Sequence, residues 1–207
     1  MNKKNNLGLD VCFMNEDDPF VVFKEWMSEA EKNEINDPNA VALATVNESN
    51  QPDVRMVLLK EYNKNGFIFF TNLNSKKGTD LKKTPKASMC FHWKSLLRQV
   101  RISGDISLIS DDEADKYFYS RPYLSKIGAW SSSQSKPMET RDALLNKIDE
   151  YKNKFTDQNN VPRPGHWSGF LLSPNKIEFW KDVEGRLHQR LEYSKVSNSW
   201  ERQILYP

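Results

Sequence analysis

AVALATV (residues 40–46), VRMVLLK (54–60) and GFIFFT (66–71) are the stretches on which the fold turns. Each is strand-length, rich in β-branched and aromatic residues, and bounded by turn-forming residues. Several such runs are apolar on both faces, as strands between a core and a second surface are. ASMCFHW (87–93) and RQVRISGDISLI (98–109) continue the series. Three more strands are expected at WSGFLLS (167–173), KIEFWKD (176–182) and RLHQRLEYSK (186–195), and SWERQILYP closes the chain as a last one.

Helical periodicity frames these strands. Asp18 can cap a helix that opens on Pro19, with Phe20, Phe23, Met27 and Ala30 as its apolar stripe. SDDEADKYFYSR (110–121) opens on a capping box, Ser110 with Glu113, and ends before Pro122. METRDALLNKIDEYKNKF (138–155) reads as a more exposed helix. Residues 1–17 are polar and read as a mobile arm, leaving 18–207 as one domain. The list is mainly β with helices. Its natural packing is an antiparallel barrel, closed or partly open, flanked by helices.

Composition narrows the function. Net charge is +2, so no global basic field argues for nucleic acid. Cys12 and Cys90 are the only cysteines, and the histidines stand far apart at 92, 166 and 188, without zinc-site spacing. The N-terminus has no apolar signal-peptide core, and no apolar run has bilayer length, so a soluble protein of a reducing cytoplasm is expected. No G-x-G-x-x-G follows a strand.

Cations in unusual settings remain. Arg55 interrupts an apolar strand and needs a carboxylate or phosphate partner. Ser75 can cap a short helix whose first turn holds Lys76 and Lys77, where cations oppose the helix dipole unless an anion binds. Tyr117 and Arg121 share a helix face, and Ser125 follows closely. In EGRLHQRLEY (184–193), Arg186, His188 and Arg190 share a face if the stretch is a strand. These clusters suggest two anionic sites: Arg55 with Lys76 and Lys77, and Lys60 with Tyr117, Arg121 and Ser125.

RMVLLK, FFTNLNSKK, RQVRISG, YFYSRPYLSKIGAWSSSQS and IEFWKDVEGRLHQR, in this order, resemble the pyridoxine/pyridoxamine 5′-phosphate oxidase family. The resemblance runs from about residue 18 to the C-terminus. It implies an FMN-binding split β-barrel, a homodimer with flavin sites between subunits, and oxidation of pyridoxamine or pyridoxine 5′-phosphate to pyridoxal 5′-phosphate. Dioxygen would be the electron acceptor and hydrogen peroxide the product. By resemblance, Arg55, Phe70, Thr71, Lys76, Lys77, Gln99, Gln134, Ser135, Trp180 and Arg190 contact FMN. Lys60, Tyr117, Arg121 and Ser125 hold the substrate phosphate, and Arg186 and His188 stand beside the reacting carbon. Gln189 replaces the family's usual Asp, Ile204 its terminal Arg, Lys76 a common Arg and Phe70 a frequent Tyr. The arm lacks the Arg-x-Glu-Tyr pattern of relatives. Two rivals are another flavin split-barrel reductase and a non-catalytic flavin or pyridoxal-phosphate carrier.

Overall fold

The computed structural model describes residues 15–207; the expectations for residues 1–14 lie outside them. Helix α1 (Pro19–Asn33) is followed by β1 (Ala40–Val46), β2 (Pro52–Asn63) and β3 (Gly66–Asn72). Next come α2 (Lys76–Lys83), β4 (Lys86–Trp93) and β5 (Arg98–Leu108). Three helices follow, α3 (Asp111–Ser120), α4 (Tyr123–Ser131) and α5 (Arg141–Lys154). The chain ends with β6 (Trp167–Lys181), β7 (Gln189–Val196) and β8 (Ser199–Leu205).

The sheet order is β3-β2-β1-β4-β5-β6-β7-β8, and β3 also pairs with β6. That extra pairing closes the first six strands into an antiparallel barrel and leaves β7 and β8 as an extension. Strand β6 makes both arrangements possible. Its first half, Trp167–Leu172, pairs with β3, and its second half, Lys176–Lys181, pairs with β7. Between them the register against β5 slips by one residue at Ser103/Gly104, opposite Pro174 and Lys176. A bulge absorbs the proline, which has no N–H for the ladder. Gly104 is required here, because a Cβ would lie 2.1 Å from the Ser173 carbonyl oxygen. The break that reads in sequence as a gap between two strands is therefore a bulge within one.

Alternation fills the barrel. Val41 and Leu43, Met89 and Phe91, Val100 and Ile102, and Ile177 and Phe179 point inward and are buried. Helix α1 plugs one end. Asp18 accepts from the Phe20 N–H at 2.9 Å, and Val22, Phe23, Trp26, Met27 and Ala30 are buried, a broader stripe than the sequence suggests. Phe23 lies within ring contact of Tyr62 and Phe67 (both 4.9 Å) and Phe91 (5.4 Å). Of the arm, residues 16 and 17 are tied down: Tyr193 donates to the Glu16 carbonyl at 2.6 Å, and Arg202 pairs with Asp17 at 3.1 Å.

The structure departs from the sequence reading at two places. Pro122 ends α3 but also opens α4, a helix the sequence pattern does not announce. Proline suits a helix start as well as it ends one, and Ser125, Gly128 and Ser131 hide the helical signal by weak propensity. The strand expected at 186–195 begins only at Gln189. Gly185 (φ 72°) and Arg186 (φ 62°) are left-handed and reverse the chain between β6 and β7. Arg186 and His188 therefore belong to a turn, and only Arg190 lies on the strand face. Gln189 packs inward with Leu191 and Tyr193, buried, with neither amide atom partnered.

Phe23→Ala should cost about 3–5 kcal/mol of stability, whereas exposed Val21→Ala should change it by less than about 0.5 kcal/mol. Urea denaturation of both variants measures this. Equal midpoints would show that α1 does not plug the core.

Candidate functional site

Strand β3 delivers Phe70, Thr71 and Asn72 to the barrel rim, and α2 begins four residues later. Ser75 caps α2 by accepting from the Gly78 N–H at 3.3 Å. This sets Lys77 beside the end of β3: its Nζ donates to Thr71 Oγ1 at 3.3 Å and to Gln134 Oε1 at 3.4 Å. Lys77 is buried and has no ion pair among the described residues. Burial pushes its ammonium below the ordinary lysine value, Arg55 pushes the same way, and Asp53 offsets only part.

Arg55 and Lys76 are differently placed. Arg55 donates to Asp53 at 2.7 Å, to Thr45 Oγ1 at 2.8 Å and to the Leu43 carbonyl at 3.2 Å. Lys76 bridges Asp53 (3.3 Å) and Asp80 (3.0 Å). The carboxylate partner that Arg55 demands is thus Asp53. Three cations and two carboxylates make up this corner, so positive charge is left over on Lys77.

Beside it opens a cavity of about 460 Å³. Lys60, Phe70, Thr71, Lys77, Tyr117, Arg121, Ser125 and Gln134 line it together with Trp167 and the start of the loop after α4. Among the described residues, the lining contains Lys60, Lys77 and Arg121 and no acidic residue. Phe70 stacks on Tyr117 (3.9 Å, 15°) and on Trp167 (5.2 Å, 11°), a parallel aromatic wall. The Arg121 guanidinium lies 4.7 Å over Trp167, and its Nη1 is buried without a partner. Burial lowers its affinity for the proton, and no carboxylate answers it among the described residues. An anionic group with several acceptor oxygens fits this lining: it would satisfy Arg121 and neutralise the excess charge. Ser135 lies one step away, in a second cavity of about 560 Å³ beneath α5.

The remaining sequence-derived candidates form another cluster. Gln99, Trp180 and Arg190 are consecutive register partners across β5, β6 and β7. His188 lies against the Trp180 ring at 4.6 Å, and Arg186 is exposed in the adjoining turn. None of these five residues lines the cavity. Cys90 donates to Gln99 Oε1 at 3.1 Å. Glu178 is buried between Arg190 (2.8 Å) and Arg101. Burial pushes the Glu178 carboxyl up, but hydrogen bonds from Arg190 and Arg101 outweigh it and hold the group below its ordinary value. The sequence reading misses Glu178, Trp167 and Asp182. For Glu178 a signal exists, because alternation puts it on the face of Trp180.

Residues 27–155 match the family model described as pyridoxamine 5′-phosphate oxidase, and residues 167–207 match that of the pyridoxine 5′-phosphate oxidase C-terminal dimerisation region. The chain belongs to the pyridoxine/pyridoxamine 5′-phosphate oxidase family. A relative of that name from Pelagibacter ubique is 57% identical over 100% of both chains. Another from Allorhizobium ampelinum is 51% identical over 94% of this chain and 95% of its own. Among solved structures, PhzG from Burkholderia lata, in complex with tetrahydrophenazine-1-carboxylic acid, superposes with a TM-score of 0.88. It is 30% identical and covers 93% of this chain and 94% of its own. A pyridoxamine 5′-phosphate oxidase-related, FMN-binding protein from Nostoc punctiforme shares the fold at TM-score 0.73 and 16% identity, over 94% of this chain and 100% of its own.

The Glu178 bridge sets a pH dependence. Its lowered carboxyl stabilises the fold above the ordinary glutamate value of 4.5, and that contribution is lost as pH falls through the lower, folded-state value. Glu178→Gln should cost about 1–3 kcal/mol at neutral pH, because the two partly solvated arginines lose their buried carboxylate partner. The deficit should shrink below pH 4.5. Denaturant midpoints of both proteins across pH 3–7 (roughly the span of a carboxylate titration) check this; a constant deficit would contradict it.

Proposed function

We propose that this protein is an FMN-dependent oxidase of pyridoxamine and pyridoxine 5′-phosphates, working in the cytoplasm as a homodimer. The observation that carries the reading is the acid-free cavity, in which Arg121 holds an unpartnered buried nitrogen beside an aromatic wall. Family membership supplies the cofactor and substrate class.

Lys60, Tyr117, Arg121 and Ser125 would grip the substrate phosphate. Arg121 offers a planar fork, Lys60 a mobile charge, and Tyr117 and Ser125 hydroxyl donors. Thr71, Lys77, Gln134 and Ser135, backed by Arg55 and Lys76, would hold the flavin on one side, with Phe70 against it. Gln99, Trp180 and Arg190 would hold it on the other. A bound flavin would supply the chemistry of two-electron oxidation of the substrate carbon, with dioxygen as electron acceptor and hydrogen peroxide as product. The chain's own part is to bind, orient and exclude water. Arg186 and His188 would orient the ring and its reacting substituent.

The two clusters would reach one ligand through a second copy. Trp167 and Trp180 are thirteen steps apart on β6, and no residue of the second cluster lines the cavity. The outer face of β2 beside the cavity carries Val54, Met56 and Leu58, which are 64%, 63% and 39% exposed. Opposite them on β1 are the small residues Ala44, Ala42 and Ala40. An apolar sheet face of this kind suits a partner subunit. Its second cluster would then complete the first chain's cavity.

The test is anaerobic addition of pyridoxamine 5′-phosphate to the purified, flavin-loaded protein. Bleaching of the visible flavin band is expected. Arg121→Ala should need roughly ten- to a hundredfold more substrate for the same rate while keeping its flavin, the loss of one charge-assisted contact. A flavin band that persists under saturating substrate would reduce the protein to a carrier.

A further inference from the structure

His188 and Asp182 flank the left-handed turn at Gly185 and Arg186. The turn folds the imidazole back onto its own start. Nδ1 lies 2.9 Å from Asp182 Oδ1 and 3.3 Å from the backbone nitrogen of Val183. The ring leans on Trp180 at 4.6 Å. Nε2 has no hydrogen-bond partner among the described residues.

The two contacts at Nδ1 demand opposite states. The Val183 N–H needs a lone pair there, whereas the Asp182 carboxylate needs a proton. The carboxylate contact is the shorter and is charge-assisted, so it prevails over a neutral N–H at 3.3 Å.

We propose that Asp182 is a positioning residue for the oxidation: it keeps the proton of neutral His188 on Nδ1 and leaves an acceptor lone pair at Nε2 for the substrate. The proposal rests on the reading that His188 stands beside the reacting carbon. That carbon carries a hydroxyl or amino group, and both are hydrogen-bond donors. An acceptor at Nε2 fixes the rotation of that group about its bond to the ring; a donor at Nε2 cannot pair with the ammonium of pyridoxamine 5′-phosphate, which has no lone pair, so the effect is read with that substrate. Asp182 holds no substrate atom itself. Removing it hands Nδ1 to the Val183 N–H, which sends the imidazole proton to Nε2.

The experiment is ¹⁵N NMR of histidine-labelled, intact protein, with the His188 signals assigned by their loss in His188→Gln. The wild-type protein should show the Nδ1–H tautomer, Asp182→Ala the Nε2–H tautomer, and Asp182→Glu a return toward wild type. In turnover, Asp182→Ala should lower kcat roughly three- to tenfold, the worth of one hydrogen bond, with flavin affinity unchanged. In a His188→Ala background the same substitution should cost nothing further. An Nε2–H tautomer in the wild type, an unchanged tautomer in Asp182→Ala, or an equal loss of turnover with and without His188 would each overturn the proposal. The NMR result does not depend on turnover. If the tautomer switches as expected while His188→Ala turns over normally, the failure lies in the placement of His188 beside the reacting carbon, and the substrate role of Asp182 falls with it.

Discussion

Strand β6 must serve two neighbours at once. One half closes the barrel against β3, and the other carries the β7–β8 extension. The slip at Gly104 and Pro174 lets a single strand change partners without breaking its ladder to β5. The rest follows from that division. The closed half presents Trp167 to the acid-free cavity, and the extended half presents Trp180 and buried Glu178 to a second cluster. A chain built this way carries two unlike clusters, one lining the cavity and one outside it, which the proposed dimer would join.

Electrostatics differ between the two surfaces. Around the cavity, buried Lys77 and the buried Nη1 of Arg121 have no ion partner among the described residues, so positive charge is held in reserve. Around Trp180 the arginines are already committed: Arg101 and Arg190 bracket Glu178, and Arg190 also donates to the Tyr206 carbonyl at 3.0 Å. The first surface is poised to take an anion. The second is a braced wall that fixes where Gln99, Trp180 and Arg190 point, with the short Cys90–Gln99 contact as part of the brace.

Much of this was legible in the sequence. The first five strands, the Ser110–Glu113 capping box and the Ser75 cap depend on local chemistry, and each lies close to where the pattern puts it. Lys60, Tyr117, Arg121 and Ser125 meet at one cavity. What escaped the reading depends on tertiary context. Helix α4 is held by packing around Ile127 rather than by propensity. The alternation of Arg186, His188 and Arg190 imitates a strand, yet Gly185 and Arg186 turn left-handed and end the pattern. The Asp182–His188 contact spans that turn and has no periodic signature. The division of site residues between two surfaces cannot be read from spacing, because both sets come from strands of one sheet.

Subunit mixing tests the shared site most directly. Arg121→Ala belongs to the cavity cluster and Arg186→Ala to the other, and each variant alone should be impaired at every site. If each site draws one cluster from each copy of a two-fold dimer, unfolding and refolding an equal mixture should restore about a quarter of the sites to full composition. Turnover should rise accordingly above that of either variant alone. Turnover that stays at the average of the two variants would show that both clusters act within one chain, and would contradict the account.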